Sequence, residues 1–155
     1  MSTTPQKRAE LPQLELDRQL CFPLYAAGRA VTRRYGVLLA DVGLTYPQYL
    51  CLLALWDSDG PMSVGELGER LRLDSGTLTP VLKRLEAAGH VVRRRDPADE
   101  RRVLLDVTDA GWALRDQVAD VPERLMTGTG LPVTKARQLR SLLAELIESL
   151  DEADA

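Results

Sequence analysis

Aromatic side chains are scarce in this chain: they make up 5% of 155 residues, with one Phe. Leu, Val and Ala must therefore supply most of any core. Cysteine is limited to Cys21 and Cys51, too few for the disulfide framework of a small secreted domain. In a reducing cytosol the pair is not expected to form a standing structural disulfide. His90 is the single histidine. One His and two distant cysteines do not make a metal site, so we expect no metal and no cofactor. His90 reads as structural or DNA-proximal. No apolar run is long enough to span a bilayer, and residues 1–10 lack a signal-peptide core. A cytoplasmic location without a membrane partner is the expectation. An excess of positive charge is also missing, since the formal net charge is -3. That argues against a uniformly basic binder, but nucleic acid responds to local charge rather than to the total.

Locally, charge is present. Residues 83–102 hold seven basic side chains (Lys83, Arg84, Arg93, Arg94, Arg95, Arg101, Arg102) against four acids, Glu86, Asp96, Asp99 and Glu100. Much of the balancing acid lies near the end, in Glu145, Glu148, Asp151, Glu152 and Asp154. With 45% hydrophobic residues the chain can bury a core of its own. Its length suits one domain, or one DNA-binding unit with helical extensions.

Residues 1–12 are polar, carry Pro5 and Pro12, and read as a mobile arm. Leu14, Leu20, Leu24, Ala27 and Val31 predict a helix from about Leu14 to Arg34, with Pro23 tolerated or kinking it. Gly36 or Gly43 marks a break. Thr45 caps an apolar helix over Tyr46–Trp56, with Pro47 in its first turn. Asp57 to Pro61 form a loop. Ser63, followed three residues later by Glu66, has capping-box spacing and starts a helix reaching about Leu71. Leu73 and Asp74 lead into a second helix, Ser75 to Ala88, stopped by Gly89. Two β-like segments, His90–Arg95 and Arg102–Val107, flank a turn containing Pro97 and form a hairpin. Thr108 caps a helix from Asp109 to about Val121. A break spans Thr127 to Pro132. The last helix, Thr134 to about Leu150, carries an apolar stripe of Leu139, Leu142, Leu143, Leu146, Ile147 and Leu150.

The order is short helix, tight turn, second helix, basic hairpin. We expect a mostly α fold with a small β-hairpin. In it, a winged helix-turn-helix over residues 62–108 is flanked by N-terminal helices (13–61) and C-terminal helices (109–155) that dimerise. The second helix presents Ser75, Thr77 and Thr79, then Lys83 and Arg84. Small hydroxylated residues let a helix N-terminus approach phosphates and base edges, and Thr methyls can touch thymine methyls. Leu78, Val81, Leu82 and Leu85 face inward. Hairpin arginines, Arg94 and Arg95 among them, suit a narrow minor groove. The bland alternative is a helix pair with a solvated basic hairpin. Five arginines within residues 93–102 favour DNA.

The stretch LDSGTLTPVLKRLEAAGHVVRRRDPADERRVLLDVTDAG resembles the recognition helix and wing of MarR-type regulators. The run Asp99 to Arg102 is similar to that family's wing signature. The resemblance implies that Asp99 orients Arg101 for the minor groove. It also implies a homodimer on palindromic double-stranded DNA, paired through the first helix and the last two. LCFPLYAAGRAVTRRY and LTYPQYLCLLALW resemble the organic-hydroperoxide-sensing (OhrR-like) branch. This implies a sensor at Cys21 with Tyr25, Tyr35 and Tyr46 as its partners, Tyr35 coming from the other subunit.

Cys21 and Tyr25, four residues apart, share a helix face. A thiolate attacking a peroxide gives a sulfenic acid, which a second thiol can trap. We expect Phe22, Leu24 and Trp56 to form an apolar rim favouring organic peroxide. Cys51, within YLCLLALW, reads as core. No cysteine follows it, so oxidised Cys21 is expected to be capped by a low-molecular-weight thiol; a Cys21–Cys51 bond stays open. The expected function is therefore a non-enzymatic repressor released by organic hydroperoxide. The alternatives are a MarR-type repressor released by a small aromatic ligand, a thiol peroxidase, and a winged helix that binds protein.

Overall fold

The structure is a computed structural model that describes residues 11–154. Most of the arm expected at residues 1–12 lies outside the described residues. The chain divides into two units, one ending at Arg34 and one beginning at Tyr35.

In the first unit, two 3-10 turns, Pro12–Leu14 and Leu16–Arg18, precede α1 (Cys21–Leu38), whose last turn, from Tyr35, is counted with the second unit. The helix expected from Leu14 thus starts seven residues later. Pro23 gives the reason. Starting at Cys21 puts its ring in the first turn, where no intrahelical N–H bond is lost. Starting at Leu14 would put the ring in mid-helix. At the other end, α1 continues through Gly36, and Gly43, with φ of 68°, takes the left-handed turn.

The second unit contains α2 (Tyr46–Trp56), β1 (Met62–Ser63), α3 (Val64–Leu71), α4 (Ser75–Ala87), β2 (Val91–Arg95), β3 (Val103–Val107), α5 (Asp109–Gln117), α6 (Val121–Thr129) and α7 (Val133–Ala153). Local chemistry sets the starts. Thr45 with Gln48, and Ser63 with Glu66, each close a reciprocal capping box. Thr108 Oγ1 accepts the Gly111 N–H. The apolar run of α2 packs against α3, α4, β3 and α5. Leu52, Leu67, Leu78, Leu82, Leu85 and Leu105 are all buried in this core, each worth roughly 1.5–3 kcal/mol of burial. Trp56 Nε1 donates to the Gly111 carbonyl at 3.2 Å and ties α2 to α5. Gly111 also lets the start of α5 lie against the hairpin, because a Cβ there would collide with the His90 carbonyl.

The expected hairpin forms, with an antiparallel register from Val91 opposite Val107 to Arg95 opposite Val103. It is part of a three-stranded sheet of order β1-β3-β2, since Met62 pairs with Leu105 and Ser63 with Leu104. A two-residue strand is too short to show a period of two. The helix expected to reach Val121 ends at Gln117, and α6 occupies part of the expected break. Pro122, in the first turn of α6, requires a new start there. Gly130, at φ of 65°, ends it. No residue of α7 is buried, and Leu139, Leu142, Ile147 and Leu150 stand exposed along it.

Candidate DNA interface and cysteine site

Asp74 builds the start of α4. Its Oδ1 accepts the Thr77 N–H at 2.8 Å, and its Oδ2 accepts the Thr77 hydroxyl at 3.0 Å. These bonds hold its carboxyl below the usual carboxylate range. The sequence suggested Asp74 only as a lead-in, yet Asx capping is the signal that identifies it. Thr79 Oγ1 donates to the Ser75 carbonyl at 2.6 Å. Both threonine hydroxyls are therefore engaged inside the helix, leaving their methyls for apolar contact. Ser75, Thr77, Lys83 and Arg84 are exposed, while Leu78, Leu82 and Leu85 anchor the opposite face. The turn before α4 is tight. A Cβ on Gly68 would lie 2.8 Å from the Leu73 carbonyl oxygen, and Arg72 takes a left-handed φ of 55°.

The wing separates its arginines by task. Arg101 donates from its backbone N–H and its Nε to Asp99 Oδ1, at 3.1 and 3.2 Å, yet its side chain is 92% exposed. These bonds also lower the Asp99 pKa. Arg95 Nη1 donates to the Glu100 carbonyl at 2.9 Å, and Arg94 pairs across the strands with Asp106 at 3.4 Å. Arg93 pairs with Glu86 on α4 at 2.7 Å, and Arg102 pairs with Glu66 on α3 at 3.1 Å. The expected site residues include neither of these two arginines. Their partners lie 7 and 36 residues away, so only the fold brings them together.

In the first unit, Cys21 is exposed as the first residue of α1. Tyr25, one turn on, accepts a hydrogen bond from Arg29 Nη1 at 3.0 Å. In the second unit, Tyr35 and Tyr46 stack with centroids 4.1 Å apart, and Tyr49 lies 5.6 Å from Tyr35. Tyr49 was not anticipated from sequence; it stands one helical turn after Tyr46 in register with its face. Burial, then the neighbouring Tyr46 and Tyr49, push the Tyr35 phenol up to about 12, and burial raises Tyr46 as well. Both phenols stay neutral and able to donate at neutral pH.

Cys51 is fully buried, and burial pushes its thiol up to about 11. This matches its reading as core. Trp56, expected beside Phe22 and Leu24 in an apolar rim, is instead used in the core against Gly111 and Tyr49. Its indole N–H needed a buried acceptor, and α5 supplies one. His90 Nδ1 is buried and has no hydrogen-bond partner among the described residues. Among the described residues no group of three or more His, Cys, Asp or Glu could hold a metal ion, and no helix is long and apolar enough to cross a membrane.

The MarR family model matches residues 44–103. The chain is 49% identical to the HTH-type transcriptional regulator TtmR of Methylorubrum extorquens, over 96% of this chain and 75% of that one. It is 42% identical to the organic hydroperoxide resistance transcriptional regulator of Bacillus subtilis, over 90% and 94% of the two chains. Among solved structures, reduced AbfR bound to DNA, from Staphylococcus epidermidis, superposes with a TM-score of 0.79 at 34% identity, covering 93% of this chain and 98% of that one. With its three-stranded wing, its helix-turn-helix and relatives 49% and 42% identical over at least 90% of it, this chain belongs to the MarR family of DNA-binding transcriptional regulators.

Proposed function

We propose that the chain is a homodimeric repressor that binds a palindromic operator when reduced and leaves it when Cys21 is oxidised by an organic hydroperoxide. The observation that carries this reading is the exposed Cys21 at the start of α1, one turn before Tyr25. It stands in a chain 42% identical to an organic hydroperoxide resistance regulator. The Cys21 thiolate attacks a peroxide oxygen. The S–O bond forms as the O–O bond breaks; the sulfenic acid keeps the hydroperoxide proton, and the departing alkoxide takes a proton from water to leave as the alcohol. A low-molecular-weight thiol then attacks the sulfenic sulfur, forming a disulfide and releasing water. The larger, more polar adduct changes the contacts and hydrogen bonds around the sulfur. It favours an arrangement in which two recognition helices no longer match major grooves about 34 Å apart.

On the DNA, Ser75, Thr77, Thr79, Lys83 and Arg84 of α4 contact the major groove and its phosphates. Arg101, oriented by Asp99, enters the minor groove, and Arg94 and Arg95 line the backbone. Tyr25, Tyr35 and Tyr46 respond to the sulfur's oxidation. The exposed stripe of α7, with α1 and α6, forms the dimer interface.

The test is operator binding before and after cumene hydroperoxide, with mass spectrometry of the released protein. Wild type should lose binding and gain a thiol adduct on Cys21. Cys21→Ser should bind within about twofold of wild type and ignore peroxide. Release of Cys21→Ser by peroxide as readily as wild type sinks the redox reading. Release by an aromatic acid with no covalent change supports the ligand-gated alternative instead.

A further inference from the structure

The wing is braced to both helices of the helix-turn-helix. On its β2 side, Arg93 Nη2 and Nε lie 2.7 and 2.9 Å from Glu86 Oε2, near the end of α4. On its β3 side, Arg102 Nη2 donates to Glu66 Oε1 at 3.1 Å, while Arg102 Nη1 lies 3.6 Å from Asp96 Oδ2. The other Glu66 oxygen accepts the Ser63 N–H at 2.7 Å. One carboxylate therefore closes the capping box of α3 and holds the wing at its tip end, where Arg102 leads into β3. The Arg102 backbone is engaged too: its N–H donates to the Asp99 carbonyl at 2.9 Å, and its carbonyl accepts from Asp96 at 3.0 Å. Arg102 thus has two carboxylate partners and a closed backbone, whereas Arg101 beside it is 92% exposed.

We propose that Arg102 and Glu66 are positioning residues for DNA binding: their ion pair sets the wing tip, and with it Arg101, at a fixed spacing from α3 and α4. The inference rests on the DNA-binding part of the proposed function and is independent of the redox part. A regulator that grips DNA with both a helix and a wing must present them at one spacing. A wing left loose must be ordered on binding, which weakens affinity. Arg102 would act through Arg101 rather than by neutralising a phosphate itself. The pair is half exposed, so the effect is modest, about three- to fivefold in Kd. Its sign is the informative quantity.

The experiment uses full-length reduced protein and the duplex that wild type enriches from a randomised 30-bp pool of roughly that length, read by fluorescence anisotropy in 50 to 200 mM KCl. Glu66→Gln keeps an amide oxygen for the Ser63 cap but loses the pair with Arg102. It also removes a negative charge from the lobe that faces DNA. If charge alone matters, Glu66→Gln binds more tightly than wild type. If positioning matters, it binds about three- to fivefold more weakly. Arg102→Gln should weaken binding by a similar factor without changing the salt slope, and the double variant should be no weaker than Arg102→Gln alone. Unchanged or tighter binding by Glu66→Gln overturns the inference. So does a fall of about 0.9 in the salt slope of Arg102→Gln, which would assign it a phosphate. If wild type enriches no duplex, the DNA reading itself fails, and this inference with it.

Discussion

Two cysteines of one type have opposite surroundings. Cys21 is exposed and Cys51 is fully buried. Burial pushes Cys51 up to about 11 from an ordinary 9.0, and burial with two neighbouring tyrosines pushes Tyr35 up to about 12 from an ordinary 10.0. Each group holds its proton more tightly folded than unfolded. The stability this contributes is complete below the ordinary values and is lost as pH rises through the raised ones. Denaturant midpoints should therefore fall between pH 9 and 12. The fall from pH 9 to 11 should be shallower in Cys51→Ala, whatever its absolute stability. An equal slope in the two proteins would show that the Cys51 thiol is not the titrating group. The burial of Cys51 was legible in the apolar run around it. The packing of Tyr35 on Tyr46 and Tyr49 was not, because Tyr35 sits on a different helix from the other two.

At the scale of elements, α3 and α4 are written in their caps. Ser63 with Glu66, and Asp74 with Thr77, satisfy amides that the helix cannot, and those pairs lie within four residues in sequence. The wing is different. Its strands are legible from β-branched residues and a proline turn, while the separate tasks of its arginines depend on acids brought from elsewhere in the fold. Arg101 alone combines a tether to Asp99 with near-complete exposure. Arg101→Ala should weaken DNA binding and lower the salt slope by about 0.9, because a released counterion is lost. It should also relax preference at A·T positions flanking the major-groove contacts. A variant with unchanged slope and preference would place the wing tip off the DNA.

At the scale of the molecule, the exposed apolar positions of α7 call for a partner. Leu139, Leu142 and Leu150 are each about half exposed. Apolar stripes of this kind mark an interaction surface, and a two-fold partner would bury them while matching a palindrome. Leu142→Glu should shift the protein by sedimentation from twice 17.2 kDa toward 17.2 kDa. DNA affinity should fall at least tenfold, since a monomer presents one recognition helix. A dimer that persists unchanged in that variant would place the interface on another face.

Periodicity, caps and turn residues act over a few positions, so the sequence by itself determined α2 through α4, the hairpin and the burial of Cys51. It also carried the family likeness, because the wing and recognition helix are contiguous in the chain. Tertiary structure decided what depends on distant partners. The two-residue β1 exists only by pairing with β3. Trp56 faces the core because the Gly111 carbonyl is there to accept its N–H. Arg102 braces the wing because the fold brings it to Glu66, 36 residues away. Local interactions are set by neighbours in the chain, whereas an ion pair or a stack is set by whichever side chains the packed core leaves within reach.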